Sequence, residues 1–429
     1  MTYGGKVKST LRASTGSRDQ RVKGVASGRE FIAIVTALMA SGALAIDLML
    51  PAFPDMRQEF GMSPDSTQVG WIVTAFFLGM AVGPWIYGPA SDRYGRRGLL
   101  FGGMALYLAS ALLACVAPSW EWVIVSRFVW GLGAAAPRTL SIAMIRDRYE
   151  GNAMARLMSN IMAVFLLVPI LAPGIGAGLI AIAPWRIVFW FPAVIASVLM
   201  LWATRLPETL EPERRRALTR SAFVQALKEV VGRRQTVCFT LAIAFLFGVM
   251  AAYLASSEVI LSDVYGYGSW FPLFFGSIAI MLALNSLNNA RLVHSVGITQ
   301  LVRRMVVVAM CTSFVFLLIS RLNHGHPNFW LYAISLACVI PVAQGLVPVC
   351  NTAAMIPLPH VAGTASAIIS TVTTAGGALL GNIGSSAFNG TVQPLAIALM
   401  AYVLIAAVLI LIGATSSKTE NYLLPTTAH

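Results

Sequence analysis

Long apolar runs alternate with short polar segments along the whole chain. About 20 apolar residues carry a helix across a bilayer, so each run reads as a membrane span. Twelve of them fall near residues 31–53, 67–88, 98–117, 120–145, 157–182, 186–205, 237–260, 269–290, 301–320, 328–350, 363–388 and 391–413. The first contains Ala43-Leu44-Ala45, a string shaped like a signal-peptidase site. It is longer than a signal-peptide core and many spans follow, so it is read as a retained helix. The expected fold is an all-α membrane protein of twelve transmembrane helices.

The internal polar segment Leu206 to Gln235 divides the spans six and six. Within it Phe223, Leu227, Val230 and Val231 recur at helical spacing beside Lys228 and Glu229, which predicts a short amphipathic helix on the membrane surface. The plan is a disordered basic cytoplasmic tail over 1–28, a six-helix bundle over 29–205, a cytoplasmic linker over 206–236, a second six-helix bundle over 237–413, and a cytoplasmic tail over 414–429. Charge sets the orientation. With both termini in the cytoplasm, three of the 30 Lys and Arg fall in outer loops (Arg57, Arg186, Arg321) and two within spans (Arg127, Arg138). The rest fall on the cytoplasmic side, as the positive-inside bias requires.

Composition narrows the class further. At 57% hydrophobic and 11% charged over 429 residues, the chain leaves no room for a sizeable soluble domain. A net charge of +13 would suggest nucleic acid in a soluble protein; here it follows from basic cytoplasmic loops, and no nucleic-acid partner is expected. Cys115, Cys238, Cys311, Cys338 and Cys350 lie in or at the ends of apolar runs without metal-ligand spacing and read as packing residues. His294, His324, His326 and His360 fall in connections and His429 ends the chain. No phosphate-binding G-x-x-x-x-G-K-S/T string is present, so no metal, cofactor or ATP site is expected. A membrane enzyme would need clustered polar residues inside the spans, so the chain is read as a non-enzyme.

Asp47 is the one acidic residue well inside a predicted span, and a carboxylate there costs several kcal/mol unless paired or protonated. Counting from Phe53 puts it about 9 Å below the outer end of span 1; Arg127, counted from Ser119, lies about 12 Å in on the same side of span 4. The depths match. Arg138, eight residues before Arg146, reads as an arginine reaching toward the cytoplasmic interface, with a place in the transport path as the other reading. Glu258 and Asp263 read as solvated rim charges at the outer end of span 7. Between spans 2 and 3, Gly88 to Arg97 (GPASDRYGRR) reads as a polar cytoplasmic turn. In it Gly88 permits close helix approach, Gly95 permits the turn, and Asp92 bridges to cations or a helix N-terminus. In span 5, Pro169 and Pro173 with Gly174, Gly176 and Gly178 predict a bent helix packed closely on a neighbour.

The Gly88–Arg97 string resembles the G-x-x-x-D-R-x-G-R-R/K loop of major facilitator superfamily transporters, and the span 5 string is similar to the proline and glycine motif of that superfamily's drug exporters. Ala45-Ile46-Asp47-Leu48-Met49-Leu50-Pro51-Ala52-Phe53-Pro54 looks like the span 1 run of the bicyclomycin and chloramphenicol resistance branch of drug:proton antiporters. Arg127-Phe128 through Gly133-Ala134-Ala135-Ala136, Ile145-Arg146-Asp147 and Leu206-Pro207-Glu208-Thr209-Leu210 match the same branch. The resemblance covers residues 31 to about 413. It implies two six-helix bundles related by an axis along the membrane normal, with spans 1 and 4 facing each other in the first. It implies proton coupling at Asp47 and Arg127, and cytoplasmic gating at Gly88, Asp92, Arg93, Gly95, Arg96 and Arg97.

A guanidinium beside Asp47 would hold it ionised, and separation would let it take a proton; a static pair stapling two helices is the other reading. The function implied is proton-coupled efflux of a small amphipathic drug-like compound by alternating access, by a multi-pass monomer of the bacterial inner membrane whose partners are the substrate, protons and the lipid bilayer. Export of a cell metabolite such as an amino acid, nucleoside or siderophore is the alternative. Trp130, Pro137-Arg138 and Ser257-Glu258 depart from the branch pattern, so the substrates of its better-known members do not carry over.

Overall fold

In hydrocarbon every backbone N–H and C=O must pair within its own segment or a closed sheet, and the described chain meets this with helices. The structure is a computed structural model that describes residues 26, 28–211, 213, 220–296, 298–358 and 361–414. In chain order the helices are α1 (Gly28–Asp47), α2 (Phe53–Glu59), α3 (Trp71–Tyr94), α4 (Arg96–Cys115), α5 (Trp120–Arg148), α6 (Gly151–Ile180), α7 (Ile187–Ala203), α8 (Arg220–Gly232), α9 (Arg234–Val259), α10 (Phe271–Val296), α11 (Ile298–Leu322), α12 (Phe329–Met355), α13 (Ala362–Ser386) and α14 (Gln393–Ala414). Short 3-10 turns at Leu50–Ala52, Thr67–Gly70 and Gly268–Trp270 and a π turn at Ile260–Val264 join some of them. Among the described residues, eleven helical segments are long and apolar enough to cross a membrane; α7, an apolar helix of 17 residues, is shorter. The expected tails over 1–28 and 414–429 lie almost wholly outside the described residues.

Helices α1 and α3 to α7 pack on one another, as do α9 to α14; the two groups meet where α3 lies on α13 and α9, and α6 on α10. Small residues set the closest approach. A side chain at Gly79 of α3 would meet the Phe128 carbonyl oxygen of α5, and one at Gly131 of α5 would meet that of Phe76, so the two backbones touch in both directions. Between the groups, the Thr371 hydroxyl donates to the Ala81 carbonyl at 2.6 Å, and Phe77 meets Phe247 edge-on at 5.1 Å. The expected linker helix is α8, but its apolar residues divide between two faces. Val230 is buried with Leu358, Ala365 and Ile368, while Val224, Leu227 and Val231 are exposed.

Two expected elements take another form. Span 1 is not one helix: α1 ends at Asp47, and after two turn residues the chain continues as the 3-10 turn and α2. Pro51 has no N–H to donate to the Asp47 carbonyl four residues back, so the α ladder stops there. The Gly88–Arg97 string is not a loop either. Helix α3 runs through Gly88 and Pro89 to Tyr94, and a single residue, Gly95, makes the turn at φ 103°. Gly88 has open space around it and serves no close packing.

Candidate functional site

The break in span 1 leaves the carbonyls of the last turn of α1 without helical donors. Arg127 of α5 supplies one. Its Nη1 donates to the Ala45 carbonyl at 3.1 Å and its Nε to the Ile72 carbonyl at 3.4 Å. The guanidinium carbon lies 4.5 Å from the Phe76 ring centre and 4.8 Å from that of Trp130, so aromatic faces enclose the cation. Arg127 is fully buried and its Nη2 has no partner. A cation at the negative end of α1 is electrostatically favourable, and it sits two residues from Asp47.

Asp47 is itself 6% exposed. The direct pair with Arg127 expected from their matching depths is not formed: among the described residues no ion pair or hydrogen bond reaches the carboxylate. The guanidinium instead gives one donor to the Ala45 carbonyl, left unbonded at the helix end next to Asp47, and one to the Ile72 carbonyl in the first turn of α3. Helix α6 packs against the break. A side chain at Gly176 would strike the Leu48 carbonyl, one residue past Asp47, whereas Gly174 and Gly178 have nothing within 4 Å. One glycine of the span 5 motif therefore makes the close contact, and Pro169 and Pro173 lie in the same helix.

Arg138 follows Arg127 by eleven residues, three helical turns, and so shares its face of α5. It is exposed while Ala134, Ala135, Pro137, Leu140 and Ser141 around it are buried. Helix α5 runs ten residues, about 15 Å, beyond it to Arg148. That exceeds the reach of an arginine side chain, so the exposed Arg138 head group lies short of the Arg148 end of α5.

Across the bundle interface, Glu258 of α9 forms an ion pair with Arg57 of α2, both at most 5% exposed. The expectation of a solvated rim charge holds for Asp263, which is exposed, and fails for Glu258. Arg57 Nε is held by the Ser66 carbonyl at 3.0 Å, and the 3-10 turn that follows packs on α9 and α13. This end of the interface is closed. Nothing in the local sequence pairs two residues 201 positions apart; the available signal was the departure of Ser257-Glu258 from the branch pattern.

At the other end of the first bundle, Asp92 bridges to Arg96 at 2.5 Å, and Arg96 also bonds Asp147 at 3.2 Å and the Ser91 hydroxyl at 2.6 Å. Arg97 donates to the Thr204 carbonyl at 2.7 Å, and Arg93 lies exposed over Tyr94. The organising acid is Glu208, which accepts from the backbone N–H groups of Arg96 at 2.9 Å and Arg97 at 3.1 Å, capping the start of α4, and from those of Thr209 and Leu210. A Cβ at Gly95 would lie 2.5 Å from Glu208 Oε2, a second reason for glycine there. Partial burial pushes the Glu208 carboxyl up, and the N–H groups of Leu210, Arg96, Arg97 and Thr209 pull it down by more, leaving it below its ordinary 4.5. Its contribution is thus full above pH 4.5 and lost as pH falls through the lower folded value. Glu208→Gln is expected to lower thermal stability in detergent above that pH, with the difference from wild type vanishing on acidification; a difference constant with pH would contradict it.

The profile of the Major Facilitator Superfamily matches residues 32–381. The bicyclomycin resistance protein homolog of Haemophilus influenzae is 28% identical over 383 residues, 87% of this chain and 94% of that protein. The multidrug transporter MdfA of Yersinia pestis is 29% identical over 304 residues, 68% of this chain and 70% of the relative. Multidrug resistance protein D of Escherichia coli is 26% identical, covering 82% and 87%. Among solved structures, the D-xylose-proton symporter superposes with a TM-score of 0.71 at 14% identity over 90% of this chain and 97% of that one. The human organic anion transporter MFSD10 superposes at 0.64 and 18% identity over 90% and 99%. These two speak to the fold alone.

Proposed function

Because the chain belongs to the Major Facilitator Superfamily, we propose that this membrane transporter exports a small amphipathic drug-like compound from the bacterial cytoplasm in exchange for protons. The observation that carries the reading is Asp47: a buried carboxyl at a helix break, with no hydrogen bond or ion pair among the described residues, beside an arginine that donates to backbone carbonyls. Discontinuous helices that expose backbone ends are a recurrent means of building ion sites in transporters. Asp47 is the proton carrier. Arg127 holds the broken end of α1 and supplies the positive field against which the carboxylate ionises. The cycle rocks a bundle over 29–205 against one over 237–413, twelve spans in all with α7 as the sixth and both termini inside. Separation of Arg57 from Glu258 opens the outer side, and the Asp92–Arg96–Asp147 network with Gly88, Arg93, Gly95 and Arg97 braces the cytoplasmic end of the first bundle. Gly176, with Pro169, Pro173, Gly174 and Gly178, shapes the helix that backs the break. Arg138 is a further coupling or substrate group in the cavity, and the protein acts as a monomer.

The bicyclomycin and multidrug resistance relatives support a drug-like substrate. Expression in a drug-sensitive strain is expected to raise resistance to several members of an antibiotic and dye panel, and an uncoupler should abolish accumulation differences for the same compounds. Resistance that survives the uncoupler would reject proton drive. Unchanged sensitivity to the whole panel, with export of an amino acid, nucleoside or siderophore, would replace the drug by a metabolite.

A further inference from the structure

Ten buried side-chain polar atoms among the described residues have no hydrogen-bond partner, and three of them stand together on α9: Tyr253 Oη, Ser257 Oγ and Glu258 Oε1. Tyr253 and Ser257 are one helical turn apart and share a face, and Glu258 adjoins Ser257 at the outer end. The neighbouring Ser256 does what a buried helical serine ordinarily does, donating to the Ala252 carbonyl at 2.7 Å. Ser257 makes no such bond. Buried polar groups in proteins are nearly always satisfied, so three orphans within six residues call for a reason.

The line has a charged group at each end. At the inner end Tyr253 lies within electrostatic reach of Asp47, and the 3-10 turn that follows Asp47 packs on α9. At the outer end Glu258 gives one oxygen to Arg57, while its Oε1 makes no hydrogen bond of good geometry and the Ser262 hydroxyl stands beside the carboxylate. The charged and titratable groups around the line are Asp47 from α1, Arg57 from α2, Tyr332 from α12 and Asp263 from the π turn.

We propose that Glu258, Ser257 and Tyr253 form a proton line from the outer mouth to Asp47, gated by Arg57. The proposal rests on the proton-coupled reading above. With the outer side closed, Arg57 keeps Glu258 ionised and the line carries nothing. Opening moves Arg57, whose helix α2 is tied through short turns to α1 and α3 of the first group, away from Glu258, which belongs to the second. Glu258 then takes a proton from outside water and donates it to the Ser257 oxygen as Ser257 gives its own to Tyr253, directly or through a water, and Tyr253 gives its own to Asp47. Each transfer breaks one O–H bond and forms another. One proton leaves outside water and one arrives on Asp47, no electrons change hands, and rotation of the hydroxyls resets the line.

The test uses dicyclohexylcarbodiimide, which reacts with protonated carboxyl groups, on right-side-out membrane vesicles of expressing cells, with the Asp47 adduct read by mass spectrometry. In wild type, acidifying either side should promote labelling. In Tyr253→Phe and in Ser257→Ala, labelling promoted by outside acid should fall by at least about tenfold, as loss of a positioned proton-transfer group does, while labelling promoted by inside acid stays at the wild-type rate. Ser256→Ala, which removes a hydroxyl already bonded, should match wild type. Wild-type labelling from outside in both line variants, equal slowing from both sides, or no Asp47 labelling in wild type would each overturn the line. Failure of the proton-coupled reading itself would show elsewhere, as gradient-driven transport that persists without Asp47.

Discussion

Arg127→Lys is expected to lower transport by about a hundredfold or more although the positive charge is kept, an effect typical of displacing groups at a site by about 1 Å. An ammonium is a compact point charge that cannot bond the Ala45 and Ile72 carbonyls together while lying flat between Phe76 and Trp130. The last turn of α1 would lose its donor, at a cost of about 1–3 kcal/mol for an unpaired buried carbonyl, and Asp47 would move with it. Arg127→Met, which keeps most of the volume, should lose transport as well. Initial rates in vesicles together with thermal melting of the purified variants separate the effects. A lysine variant that transports near the wild-type rate would mean that charge alone matters and that the hold on α1 does not.

Breaking the Arg57–Glu258 pair should open the outer side. Each group is at most 5% exposed, and removal of one partner leaves the other charge buried, which typically costs about 3–5 kcal/mol. That cost falls on the closed state alone, because opening returns the remaining charge to water. In a cysteine-free background, Ala255→Cys is the reporter, since Ala255 is buried against Gly70 at this closure. Arg57→Ala or Glu258→Gln is expected to speed its labelling by an impermeant maleimide at least about a hundredfold, and exchanging the two charges should restore protection. Labelling unchanged in both single variants would show that the closure depends on packing and not on the pair.

Much of this was legible in the chain. Hydropathy located the helices, because in a membrane an apolar run and a helix are nearly the same thing. The equal depths of Asp47 and Arg127 brought the right two residues to one place. Their contact was misread because depth counting assumes an unbroken helix, and the proline that breaks it, Pro51, was in plain view. The Gly88–Arg97 string was misread for a related reason. Charge marks where the membrane ends, not where the helix ends, and the Asp92–Arg96 bridge joins α3 to the start of α4 across a single glycine. Arg138 carried its own signal, three turns from Arg127 on one face. The Arg57–Glu258 pair and the hold of Glu208 on the start of α4 join segments 201 and 112 residues apart, and local pattern carries no such information.

The central claim is that Asp47 carries the proton that drives export, and inside-out vesicles with an imposed pH gradient test it most directly. For a compound to which expression confers resistance, Asp47→Asn is predicted to reduce gradient-driven uptake to that of vesicles without the protein, while exchange of labelled for unlabelled compound in the absence of a gradient continues. Gradient-driven uptake at the wild-type rate in Asp47→Asn would contradict the account.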